Sequence, residues 1–221
     1  MKSILISIKP KWVAKILNGE KTIEIRKSAP KCKLPIDVYI YCTKDSDILY
    51  TNVLTGNFYL NLYKDKIAPG VVGRNGKVVG KFTLKKIEPV YLRMWSSVTC
   101  SWNNYYTESL SNIGPDSALD YQEMLHYLGI GMEGERVGFA WFISDLVIFE
   151  EPMELVEFKQ WEIPYPKRIK WPSWESNYYT ALGAYVKQHP TMLVSEIKRT
   201  FDDSISVKRA PQSWCYVEEL I

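Results

Sequence analysis

The chain has 221 residues, of which 46% are hydrophobic and 24% are charged, a composition typical of a globular protein with a sizeable core. No apolar run approaches the roughly 18 residues of a membrane-spanning helix, and the run before Lys9 and Pro10 is too short for a secretion signal. The four cysteines show no CxxC spacing and there are only two histidines, which argues against structural zinc and a disulfide framework. We therefore expect a reduced, cytoplasmic protein that has no metal site and no cofactor.

Positive charge is concentrated near the N-terminus. The net charge is only +3, but residues 1–44 carry ten Lys or Arg against three acidic residues, a balance of +7. The other 177 residues therefore sum to −4. This asymmetry predicts one basic surface. Lysines scattered over a solvated surface explain the same count.

Hydrophobic periodicity predicts a mixture of helices and strands. In chain order these are a helix over 10–18, strands over 21–27, 36–44 and 77–91, a helix over 116–128, a strand over 136–149, helices over 176–188 and 190–201, and a closing strand over 209–219. Gly80, in the middle of the third strand, indicates a bulge or the close approach of another backbone or a ligand. A plain bend in the strand is the commoner explanation of such a glycine. Residues 44–76 are irregular and polar, and they end in an Asn75-Gly76 turn.

This order of elements favours an α+β or mainly β fold. Strands separated by irregular segments, with few and peripheral helices, fit a small, closed, mixed β-barrel better than a doubly wound sheet. We expect a single domain over residues 1–221, with partly helical insertions at about 45–76, 95–134 and 160–205.

The segment KTIEIRK, residues 21–27, carries the most suggestive charges. Glu24 and Arg26 lie two residues apart on one strand face, about 7 Å from each other. At a sheltered position Arg26 can hold a phosphate or a base carbonyl bidentately, while Glu24 accepts from an exocyclic amine. Lys21 can contact a phosphate or, if desolvated, act as a base with a lowered pKa. A solvated ladder of surface ion pairs, worth under about 1 kcal/mol per pair, is the alternative interpretation.

Four segments, in this order, resemble the ASCH domain family of the PUA-like superfamily: ILISIKPKWVAKILNGEKTIEIRKSAPK, VYIYCTK, GKVVGKFTL and RAPQSWCYV. The resemblance implies a PUA-like β-barrel with a basic cleft that recognises RNA or a modified nucleoside. Some small relatives are amidohydrolases that deacetylate N4-acetylcytidine with a lysine and a threonine of a GxKTxTxR motif. The lysine falls on Lys21, but Glu24 stands at the threonine position, so the sequence departs from the family pattern there.

Further candidate contacts lie on either side of this motif. Ser7 and Lys9, near the start of the first helix, suit an anion, although a turn with a solvated lysine explains them equally. Tyr41 could stack on a base or be packed in the core. In the resemblance the last strand borders the cleft, which makes Gln212 and Ser213 polar contacts.

The stretch WEIPYPKRIKWPSWESNYY, from residue 161, interleaves basic and aromatic side chains. That pattern suits single-stranded nucleic acid, because cations track phosphates while rings stack on bases. A proline-rich aromatic cover over the barrel is the other interpretation.

Three hypotheses follow. The first is a binding module for single-stranded RNA or a modified nucleoside, without membrane association. The second is a hydrolase of a nucleic-acid component, either an N4-acetylcytidine amidohydrolase or a ribonuclease, that uses Lys21 and Glu24. The third is a protein-interaction domain of a transcriptional regulator, whose insertions contact protein partners.

Overall fold

A computed structural model describes residues 1–51, 56–61, 73–94, 108–129, 134–161 and 174–220. Its strands are β1 (Lys2–Ile8), β2 (Ile23–Arg26), β3 (Ile36–Cys42), β4 (Ile48–Thr51), β5 (Phe58–Asn61), β6 (Val78–Met94), β7 (Gly134–Met153) and β8 (Trp214–Glu218). Its helices are α1 (Pro10–Leu17), α2 (Glu108–Ser117), α3 (Tyr121–Leu128), α4 (Trp174–Gln188) and α5 (Val194–Ile205), with a 3-10 turn at Leu155–Glu157. None of these helices is both long and apolar enough to cross a membrane.

Six strands form one mixed sheet in the order β2-β7-β6-β3-β1-β8, and β4 pairs with β5 in a second, two-stranded sheet. In the large sheet β1 runs parallel to β3, and the other neighbours are antiparallel. The fold is thus mixed α+β and dominated by sheet, as predicted. The closed barrel is not confirmed, because in the part of the chain that is described β2 and β8 are edge strands with no ladder between them.

Helix α1 confirms the first predicted helix. It begins at Pro10, whose fixed φ suits the first helical residue, and Gly19 follows it with a φ of 76°. One face of α1, including Val13 and Ile16, is buried in the main hydrophobic cluster. The left-handed Gly19 then turns the chain from this helix into β2.

The large sheet is buried on both faces at its inner strand β3. Alternation along β3 places Val38 and Ile40 in the cluster that includes α1, whereas Tyr39 and Tyr41 point to the opposite face. There they pack in a second cluster with Phe158. The two tyrosines are therefore core residues of the second face.

Two elements differ from the sequence prediction. The helix expected over 116–128 is two helices, because α2 ends at Ser117 and Asp120 caps α3 by accepting a hydrogen bond from the backbone N–H of Glu123. Residues 44–76, expected to be irregular, contain β4 and β5. Most of the basic and aromatic stretch, residues 162–173, lies outside the described residues. The division into one domain with three insertions stays a prediction.

Gly80 confirms the expected close approach of another backbone. A Cβ atom at this position would lie 2.5 Å from the carbonyl oxygen of Val147 on β7. We expect Gly80→Ala to lower the free energy of unfolding by about 1–3 kcal/mol, because the β6–β7 ladder must shift to accept the methyl group. Urea denaturation measures this change.

Gly183 on α4 supplies the matched control for Gly80. A Cβ atom there meets nothing within 4 Å, so Gly183→Ala should stabilise the protein by about 0.5–1 kcal/mol through helix propensity. Equal effects of the two substitutions would show that the close approach at Gly80 is not tight.

Candidate functional site

Three charged side chains come together at the start of β2. Lys21 lies in the turn after α1, and Glu24 and Arg26 project from one face of the strand. All three are buried, with relative exposures of 2%, 7% and 5%. We call them the ion cluster. Their burial excludes the solvated surface ladder that the sequence left open.

Lys21 ties the N-terminal part of the chain to α2. Its ammonium group donates to the carbonyl oxygen of Ile23 at 2.8 Å and to that of Ser117 at 2.5 Å, and it lies 3.2 Å from the Glu24 carboxylate. Ser117 is the last residue of α2, so Lys21 satisfies a carbonyl that the helix itself leaves open. The three ammonium donors therefore all have protein acceptors.

Burial lowers the pKa of Lys21, because desolvation disfavours the ammonium form. The Glu24 carboxylate opposes this shift by its charge and its hydrogen bond, and Arg26 adds a smaller repulsion. Lys21 thus combines a lowered pKa with a neighbouring carboxylate. This pairing is the electrostatic arrangement expected of a group that can exchange a proton.

Arg26 joins the two edges of the sheet. One of its terminal nitrogens lies 3.0 Å from Oε1 of Glu24, the carboxylate oxygen that does not face Lys21, and donates to the Ser7 carbonyl at 2.8 Å. The other donates to the Ser213 hydroxyl, at the start of β8, at 3.5 Å. Side chains rather than a backbone ladder thus connect β2 with β1 and β8.

Two buried N–H groups at this site have no hydrogen-bond partner among the described residues: Nε of Arg26 and the indole nitrogen of Trp141. Trp141 on β7 pairs directly with Glu24 on β2. Unsatisfied buried donors are rare in native proteins, and each costs about 1–3 kcal/mol. Each of these two donors would gain a hydrogen bond from any acceptor oxygen that reached it.

Aromatic rings surround the ion cluster. The Trp214 ring lies 5.9 Å from that of Trp141, and its indole N–H donates to Ser28 at 3.1 Å. The Trp12 ring centroid lies 5.5 Å from the Lys21 ammonium. Burial raises the pKa of the Tyr127 hydroxyl, while hydrogen bonding and the positive charge of Arg26 oppose that shift. These rings lower the local polarity and so strengthen the charge interactions within the cluster.

Of the other residues predicted for the site, the structure brings Ser7 and Ser213 to Arg26. It does not bring Tyr41 there, because Tyr41 packs in the cluster on the opposite face of the sheet. Lys9 and Gln212 are exposed, and Lys9 caps α1 through its backbone without a side-chain hydrogen bond.

Sequence reasoning missed Ser117, Tyr127 and Trp141 as parts of the site. Ser117 contributes a backbone carbonyl, which leaves no signal in residue type. Trp141 lies on the predicted strand over 136–149, but that strand is apolar on both faces, so periodicity does not show which residue faces β2. Within the described ranges, no three His, Cys, Asp or Glu side chains converge in a way that could hold a metal ion.

Comparison with known proteins gives one clear match. The ASCH domain family matches residues 6–173, about three quarters of the chain. Among solved structures, the chain is similar to the crystal structure of ASCH from Zymomonas mobilis, with 14% identity, a TM-score of 0.48, and coverage of 98% of this chain and 88% of that one.

Two mutant forms of that Zymomonas mobilis protein are similar to a comparable degree. One shows 14% identity and a TM-score of 0.47 over 99% of this chain and 92% of that chain. The other shows 15% identity and a TM-score of 0.46 over 98% and 89%. A search of curated proteins finds no match to the chain.

Proposed function

This chain belongs to the ASCH domain family, and from that premise we propose that it binds single-stranded RNA or a modified nucleoside at the ion cluster. The observation that carries the proposal is the pair of buried donors, Arg26 Nε and Trp141 Nε1, which have no acceptor within the part of the chain that is described. A base carbonyl or a phosphate oxygen is an acceptor that either group can use.

Each charged residue has a distinct part in this binding. Glu24 holds the Arg26 guanidinium at 3.0 Å and so fixes the plane in which it donates. Lys21 neutralises the second oxygen of Glu24 at 3.2 Å, leaving the cluster with one net positive charge that favours an anionic ligand.

Replacing Arg26 by lysine tests this assignment. Arg26→Lys keeps the charge but removes the planar fork, so affinity for a labelled 12-nucleotide single-stranded RNA should fall roughly 10- to 100-fold. The slope of affinity against salt should stay unchanged, because the number of positive charges is the same. Fluorescence anisotropy at two or more salt concentrations measures both quantities.

Arg136→Lys, at an exposed position on β7, is the matched control and should bind like the wild type. If Arg26→Lys does not fold, Ser213→Ala removes one partner of the guanidinium at the half-exposed end of β8 and should weaken binding to a smaller extent. Wild-type protein that does not retain RNA, or a folded Arg26→Lys protein with full affinity, would refute the proposal.

A hydrolase is the second candidate, and the lowered pKa of Lys21 favours it. In that reaction Lys21 would take a proton from water, and the water oxygen would attack the acetyl carbonyl of N4-acetylcytidine. The C–N bond would then break as Lys21 returned the proton to the N4 nitrogen, which gives cytidine and acetate. To reach the water, the Lys21 amino group would first have to give up one of its three contacts, with the Ile23 carbonyl, the Ser117 carbonyl or the Glu24 carboxylate. Chromatography after incubation with N4-acetylcytidine and with single-stranded RNA tests both variants of the hypothesis. If protein at a concentration equal to that of the substrate forms no product, the hydrolase hypothesis is refuted and the binding hypothesis remains.

A further inference from the structure

A cavity lies along β8, near the ion cluster. It has a volume of about 650 Å³, within the range of roughly 300–1,000 Å³ usual for small-molecule sites. One wall is formed by the end of α5 and the segment after it, residues 204–211, and the other by residues 214–216 of β8. Gln160 also lines the cavity, and the other lining residues lie beyond residues 6–173, which match the ASCH domain family.

The lining of this cavity combines cations with aromatic rings. Lys208 and Arg209 are exposed at its wall, and Trp214 and Tyr216 contribute their rings. The Lys2 ammonium lies 3.4 Å from the centroid of the Tyr216 ring, which adds a third positive charge at the edge. The described lining residues include no carboxylate. Such a surface is complementary to a planar, anionic ligand.

Trp214 connects the cavity to the ion cluster. It follows Ser213, whose hydroxyl accepts from Arg26 at 3.5 Å, and its ring lies 5.9 Å from that of Trp141. A ligand chain that leaves the ion cluster along the start of β8 therefore meets the cavity at the next residue. The two sites are adjacent parts of one surface.

We propose that this cavity holds a nucleotide of the RNA strand next to the one bound at the ion cluster. Trp214 stacks on its base, with the Tyr216 ring edge-on to that of Trp214 at an interplanar angle of 73°, and Lys208 and Arg209 bind the two phosphates that flank it. The inference rests on the proposed function, because it extends the same RNA strand, but it assigns a different set of residues. It predicts that the C-terminal segment sets the length of RNA that is bound.

The chain offers a closely matched pair of variants. Lys208→Ala combined with Arg209→Ala removes two cations from the cavity, whereas Lys198→Ala combined with Arg199→Ala removes an exposed Lys-Arg pair on α5. With the 12-nucleotide RNA, we expect the cavity variant to bind about tenfold more weakly and its salt slope to fall by about 1.4, which corresponds to two phosphate contacts on a single strand. The α5 variant should bind like the wild type.

The outcomes separate this inference from the proposed function. If Arg26→Lys weakens binding but the cavity variant does not, the cavity assignment is wrong and the ion cluster stands. If only the cavity variant weakens binding, the cavity stands and the ion cluster fails. Equal losses in the cavity and α5 variants would indicate general electrostatic attraction and overturn the inference, as would a wild-type protein that binds no RNA.

Discussion

Replacing Glu24 by glutamine should lower the free energy of unfolding by about 3–5 kcal/mol, the largest effect expected of any single substitution in the cluster. The carboxylate is 7% exposed and lies within 3.2 Å of Lys21 and 3.0 Å of Arg26. Without its charge, two buried cations face each other with no counter-ion. For a chain of this length the melting temperature should fall by about 10 °C.

The measurement is urea denaturation followed by circular dichroism, with Glu88→Gln as the control. Glu88 forms an ion pair with Lys86 at 2.7 Å, also two residues away on a strand, but both side chains are about half exposed. Loss of that pair should cost less than about 1 kcal/mol. If Glu24→Gln is as mild as its control, the ion cluster is solvated and the burial described above is wrong.

Lys21→Met should destabilise the protein by about 2–4 kcal/mol at neutral pH. Methionine fills a similar volume, but the carbonyl oxygens of Ile23 and Ser117 lose their buried donor, at a cost of about 1–3 kcal/mol each. Part of this cost is offset, because the desolvation of the ammonium group disappears. Glu24 keeps Arg26 as its counter-ion, so this loss is smaller than that of Glu24→Gln.

The pH dependence of the same variant has a defined sign. The pKa of Lys21 is lowered in the folded protein by desolvation. Between this lowered pKa and the unfolded value of about 10.5, the unfolded chain therefore binds more protons at Lys21 than the folded protein does. The stability of the wild type relative to Lys21→Met should therefore rise with pH across this window, and the rise should be complete above the unfolded value.

Urea denaturation of both proteins from pH 7 to pH 11 measures this difference, and the exposed Lys31→Met variant corrects for the loss of one positive charge. Groups that titrate in both proteins, such as the tyrosines, cancel in the subtraction. A difference that falls with rising pH would mean that the folded protein stabilises the ammonium form, in contradiction to the desolvation argument.

Part of the candidate site follows from the sequence alone. Strict alternation in KTIEIRK places Glu24 and Arg26 on one face of a strand, and the structure agrees. The burial of that face could not be predicted in the same way. It depends on Ser117, which is 96 residues from Lys21, and on Ser213, which is 187 residues from Arg26. Contacts at such separations leave no trace in local periodicity.

Tyr41 illustrates the opposite case. Its place on β3, on the face opposite Ile40, follows from alternation, but both faces of the large sheet are buried at this strand. Periodicity shows which residues share a face and does not show which face borders a cleft. An aromatic residue at this position was therefore open to two interpretations, and the structure places it in the core.

Element boundaries in the helical region were wrong for a local reason. The helix predicted over 116–128 begins after Pro115, which lies within α2, and it runs through Asp120, which caps α3. The closed barrel was inferred from the order of strands. That order is compatible both with a closed ladder and with two sheet edges joined by Arg26, and only three-dimensional contacts separate the two.

The central claim is that the Arg26 guanidinium donates to RNA from a sheltered position. The most direct test records the ¹H–¹⁵N resonance of Arg26 Nε–H during titration with single-stranded RNA. This resonance is assigned as the one that is missing from the spectrum of Arg26→Lys. We expect this signal and the indole signal of Trp141 to shift together and to saturate with the binding curve. Saturating RNA that leaves both signals in place would contradict the claim.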